Sequence, residues 1–153
     1  KEGIKLITLK DALQSNPQIQ LCNPSPSSWG QGGFHDYWLN KTNAWIVHEW
    51  SKAGREMVRI CSGGFIKESN IKLIKQAGRE LLLSQSSDWS FILKAGTTTG
   101  LAKDRINLHL KRFWMLINAI KDNKIITDKI IEEIEKEDRI FPLISPIDWK
   151  KKI

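Results

Sequence analysis

The chain has 153 residues, enough for one domain with a sizeable core, and its 41% apolar and 27% charged residues are the balance of a globular protein in water. No apolar run approaches the ~18 residues of a membrane span, no charged-then-apolar leader opens the chain, and Lys1 rather than Met stands first, as expected of a piece of something longer. The net charge of +7 raises nucleic acid as a partner, but the twelve basic residues of 43–112, set against six acidic ones, fall at the polar positions of helices. That is the pattern of a solvated face, so neither nucleic acid nor membrane is expected as a partner. Cys22 and Cys61 lie far apart without metal-ligand spacing, which predicts two small hydrophobes in a reducing, cytoplasmic setting.

Taken in order, Ile4–Thr8 alternates like a strand end or an extended lead-in, and Thr8 can cap a brief helix through Leu13 that stops near Asn16-Pro17. Pro24 and Pro26 then stiffen the approach to Ser27-Ser28-Trp29-Gly30-Gln31-Gly32-Gly33. The spacing of Ile46, Trp50, Ala53, Met57 and Ile60 predicts a helix from Thr42 or Asn43 to Cys61, with either residue as N-cap. A second helix opens near Ser69, carries Leu73, Ile74, Ala77, Leu81 and Leu82 inward, and ends before Ser84. Gly78 in its middle costs about 1 kcal/mol against Ala, so a close helix–helix contact is expected there. A short helix follows over Trp89–Lys94. A long one runs from Thr98 or Thr99 to Ile120, with Leu101, Arg105, Leu108, Arg112 or Phe113, Leu116 and Ile120 on one stripe and Ala102, His109 and Ile117 beside it. The last covers Thr127–Glu137 with Ile130, Ile131 and Ile134 inward, and an extended tail runs to Trp149. Trp45, Trp50, Trp89 and Trp114 lie in helical patterns and read as core, and Arg79-Glu80 reads as a structural pair. The expected fold is all-α: a single bundle of about five helices with an irregular Trp/Gly-rich N-terminal loop.

That loop is the stretch that carries chemistry. Residues 27–40 hold Trp29 and Trp38, three glycines and two adjacent serines. Glycines let backbone approach a ligand or turn at positive φ, and tryptophans on such a loop offer flat faces to sugar rings, bases or a partner surface. The alternative is a loop that plugs its own tryptophans into the core. His35-Asp36 has no neighbouring nucleophile, and neither His48 nor His109 has a partner at metal spacing, so no metal or catalytic site is expected from them.

The blocks SSWGQGGFHDYWLN, NAWIVHEWSKAGREMV and QAGRELLLSQSSDWSFILKAGTT, closed by FPLI, resemble in order and spacing the helical C-terminal domain of glycoside hydrolase family 57 1,4-alpha-glucan branching enzymes. The similarity runs from about Ile4 to Trp149. It implies that residues 1–26 are a lead-in from a catalytic barrel absent from this chain, and that 27–153 are the helical domain. Retaining glycosyl transfer needs a nucleophile and an acid/base carboxylate about 5 Å apart. The resemblance implies that both sit in the barrel, so this chain alone is not expected to be catalytic and no cofactor is expected. It further implies that Trp29 and Trp38 face the cleft and hold an alpha-1,4-glucan, with Gly30 close to the sugar and Ser87 and Asp88 at the cleft edge. Asp88 reads equally well as a first-turn helix acid. A family 57 alpha-amylase and a stand-alone glucan-binding or interaction module remain the alternatives.

Overall fold

The computed structural model describes residues 3–16 and 18–150. Pro17, expected to stop the first helix, lies outside them, as do the ends of the chain. Six α-helices follow in order among the described residues: α1 Leu9–Ser15, α2 Ala44–Ser62, α3 Glu68–Ser84, α4 Ser87–Ala95, α5 Thr99–Lys121 and α6 Asp128–Glu137. Single 3-10 turns sit at Gln31–Gly33 and Pro146–Trp149. The alternating segment Ile4–Thr8 does not become a strand.

The bundle is built around α3, which packs most extensively on α5 and also touches α2, α6 and the 146–149 turn. Its residues 76–81 are buried without interruption, as a helix enclosed on all sides requires. Ile46, Ala53, Met57 and Ile60 of α2, Ile74, Ala77 and Leu81 of α3, and Ile106, Phe113, Leu116 and Ile117 of α5 form the common core. Thr8 caps α1 as expected, its hydroxyl accepting the Asp11 N–H at 3.2 Å, but α1 buries no side chain.

Several expectations are corrected here. In α5 the buried line is Ala102, Ile106, His109, Leu110 and Phe113, while Leu101 and Arg105 face water. Of the α6 isoleucines, Ile131 and Ile134 are buried and Ile130 is exposed. Trp45 is exposed, and Trp50, Trp89 and Trp114 pack half-buried at the edge of the core rather than within it. Cys61 is a buried hydrophobe whose thiol burial pushes up to about 11, whereas Cys22 is exposed. What fills the space beside Gly78 is not a helix but the tail: an added Cβ would lie 2.5 and 2.9 Å from the Trp149 ring and 3.1 Å from Ile144 Cδ1. That tail is not simply extended, because Ser145 and Asp148 form a reciprocal capping box around the 146–149 turn.

The second departure is polar. Arg79 and Glu80 do not pair with each other. Arg79 donates to Gln76 Oε1 at 2.8 Å and to the Ile140 carbonyl at 2.9 Å. Gln76 donates to Glu80 Oε1 at 2.8 Å, and Glu80 Oε2 lies 2.8 Å from His109 Nδ1. Asp138 is 3.7 Å from the same nitrogen and accepts Arg112 Nη1 at 2.6 Å. Glu80 is fully buried, so each of its oxygens needs a donor, and the relay from Arg79 to Arg112 provides them while fastening α6 and the tail to α3 and α5.

Candidate functional site

The loop that follows Ser27 is closed on itself by short-range bonds. Ser28 N–H donates to the Gly33 carbonyl at 2.7 Å, and Ser28 Oγ accepts the His35 N–H at 2.7 Å. Gly30 has φ of +123°, where side chains are strained, and a Cβ there would meet Tyr37 Cδ2 at 3.0 Å. Its bare Cα therefore makes room for the Tyr37 ring. Trp38 Nε1 donates to the Trp29 carbonyl at 3.1 Å, fixing the two tryptophans relative to each other.

These constraints present Trp29 outward, 71% exposed, while Trp38 and Tyr37 are half-buried beside it. Ring centroids lie 6.3 Å from Trp29 to Trp38, 6.2 Å to Tyr37 and 6.1 Å to Phe91, all tilted. Tyr37 and Phe91 stack at 4.9 Å with 14° between planes. Four rings from the loop and from α4 thus make one open aromatic face, with edges and faces in the arrangements that aromatic groups prefer. Exposure of the Trp29 indole argues against a loop that buries both of its tryptophans.

Ser87 and Asp88 are exposed in the first turn of α4. Asp88 precedes Phe91 by three residues and Ser87 by four, the spacings that put side chains on one helix face. A carboxylate and a hydroxyl therefore share the Phe91 side of α4. Asp88 also accepts from Ser86 Oγ at 3.3 Å and suits the positive helix end, so both of its readings remain compatible with its place. The structure adds two residues to the five expected from sequence: Tyr37, which the loop turns toward Trp29, and Phe91, which only the helix spacing from Asp88 could have suggested. Trp89, one residue from the face, instead donates Nε1 to the Leu83 carbonyl at 2.9 Å and joins α4 to α3.

Elsewhere, Glu80, His109 and Asp138 bring ligating atoms within 4.8 Å of one another, partners that the sequence spacing of His109 did not reveal. Their facing oxygens are already engaged by Gln76, the imidazole and Arg112. The arrangement is an ion-pair relay rather than a centre for a cation. On the surface, Glu56 is held at about 2, chiefly by the hydrogen bond from Arg59, with Lys121 assisting and burial opposing.

Residues 49–149 match the family model described as 1,4-alpha-glucan branching enzyme, C-terminal. The chain is 33% identical over 148 residues to the 1,4-alpha-glucan branching enzyme TK1436 of Thermococcus kodakarensis, covering 92% of this chain and 22% of that protein. The structure of TK1436 in complex with glucose and additives superposes with a TM-score of 0.84 at 27% identity, covering 99% of this chain and 28% of that one. A GH57-type branching enzyme from Pyrococcus horikoshii gives 0.84 at 26% identity, covering 99% and 30%. The alpha-amylase AmyC from Thermotoga maritima gives 0.78 at 27%, covering 100% and 28%. The chain thus spans roughly a quarter of the length of the proteins it resembles.

Proposed function

Because this chain belongs to the C-terminal domain family of 1,4-alpha-glucan branching enzymes, we propose that it is the glucan-holding domain of such an enzyme and that the face of Trp29, Tyr37, Trp38 and Phe91 is where the glucan lies. The observation that carries this reading is the exposed Trp29 ring, held in place by three others. The C–H face of glucose is apolar and stacks on indole, while its hydroxyls seek polar partners. An open face suits a long polymer better than a closed pocket.

The chemistry belongs to the catalytic part of the full-length enzyme, where a carboxylate pair cleaves an alpha-1,4 bond and forms a glycosyl-enzyme. Branching then requires a second glucan chain to reach that intermediate before water does. Stacking an acceptor on the aromatic face raises its local concentration and screens the intermediate. Residues 1–26 are the lead-in from that catalytic part, with the exposed side chains of Ile4, Leu6 and Leu9 available to cover it. Such an enzyme would act on a glycogen-like glucan in the cytoplasm, without a metal or organic cofactor.

Trp29→Ala in the full-length enzyme is expected to lower the ratio of transfer to hydrolysis about three- to tenfold, the loss of roughly one aromatic contact. Branch formation and reducing-end release measured on the same amylose sample give that ratio, and an unchanged value rejects the reading. The likeness to AmyC favours a second possibility, a hydrolytic alpha-amylase, in which wild-type protein would release reducing ends without forming branches.

A further inference from the structure

We propose that Asn43 is a positioning residue for glucan binding: its amide clasps the Trp29 loop to α4 and so keeps the Tyr37–Phe91 stack closed. This rests on the glucan-holding reading of the aromatic face given above.

Asn43 stands at the N-cap position of α2, where an Asn would ordinarily bond the first turn, yet its side chain makes no bond to that turn. It is fully buried and used elsewhere. Oδ1 accepts the Asn40 N–H at 2.7 Å, and Nδ2 donates to the Tyr37 carbonyl at 3.1 Å and to the Ser90 carbonyl at 3.3 Å. Two of the three contacts fall at or beside the aromatic residues. Tyr37 supplies one half of the stack, and Ser90 is the residue before Phe91, which supplies the other half. Among the described side chains of the loop, the remaining bonds, from Ser28, Trp38, Asn40 and Thr42, stay within the loop. The Asn43 amide is what carries hydrogen bonding from the loop across to α4.

An amide is suited to this place because one planar group offers an acceptor and two donors. Ala offers none of them. Asp keeps the acceptor and the favourable charge at a helix N-terminus, but turns a carboxylate oxygen toward two carbonyl oxygens. A residue that mattered only as a helix cap would accept Asp. A clasp would not.

The experiment is calorimetric titration of maltoheptaose into the full-length enzyme, for wild type, Trp29→Ala, Asn43→Ala, Asn43→Asp, Tyr37→Leu and the double variant Tyr37→Leu/Asn43→Ala. Both Asn43 variants are expected to raise Kd about fivefold or more, and Asn43→Ala is expected to raise it less than about twofold once Tyr37 is already Leu, because the pair act as one unit. Should Asn43→Ala fail to fold, Asn43→Asp in both backgrounds replaces it. Equal losses in the two backgrounds mean that Asn43 serves the fold at large and overturn the proposal. So does wild-type affinity of the Asn43 variants alongside weakened Trp29→Ala, which leaves the aromatic face itself standing. Wild-type affinity of Trp29→Ala removes the glucan-holding reading, and the Asn43 proposal with it.

Discussion

Gly78 illustrates how much a single position can be set by a partner distant in sequence. In an isolated helix Ala would be better there by about 1 kcal/mol. In this molecule a Cβ would overlap the Trp149 ring at 2.5 Å, and overpacking of a close-packed site costs about 1–3 kcal/mol. Gly78→Ala is therefore expected to destabilise the chain by up to about 2 kcal/mol in urea denaturation. In a Trp149→Ala background that overlap is gone and the 3.1 Å contact with Ile144 Cδ1 remains, so the same substitution is expected to destabilise less. A destabilising effect of equal size in both backgrounds would show that the tail is not what excludes the side chain. The glycine was legible in the sequence as a place of close approach, but its partner was not, because nothing in a local pattern ties residue 78 to residue 149.

Among the elements, α2, α3, α4 and α6 were readable because each has one apolar stripe bounded by caps, glycines or polar turns. The register of α5 was less so. Leu101, Leu108 and Met115 lie along one side of it and Ala102, His109, Leu110 and Phe113 along another, so two stripes compete. Burial chose the one containing His109, since the charged partners Glu80 and Asp138 make it acceptable inside. Periodicity scores His and Arg as surface residues and cannot anticipate a relay assembled from three helices. Removing Glu80 should expose the cost of that relay: Glu80→Ala leaves the Gln76 amide and the buried imidazole without their shared acceptor. The expected loss is about 3–5 kcal/mol, read as a lowered urea midpoint, and a change under about 1 kcal/mol would mean that the relay contributes little to holding α6 and the tail.

At the scale of the whole molecule, the bundle is a platform for one aromatic face. The loop brings Trp29, Tyr37 and Trp38, and α4 brings Phe91, Asp88 and Ser87. The two tryptophans stood out in the sequence through the blocks around them. Tyr37 and Phe91 did not, since they meet only after α4 has packed on the bundle, and Asn43 read as a helix cap although its amide bonds run to the loop and α4. The central claim, that this face holds an alpha-1,4-glucan, is tested most directly by following the indole N–H resonances of the seven tryptophans during a maltoheptaose titration. Signals of Trp29 and Trp38 are expected to shift in a saturable way, while Trp50, Trp89 and Trp114, packed against the core, stay in place. Saturable shifts confined to other tryptophans, or none at millimolar sugar, would contradict the account.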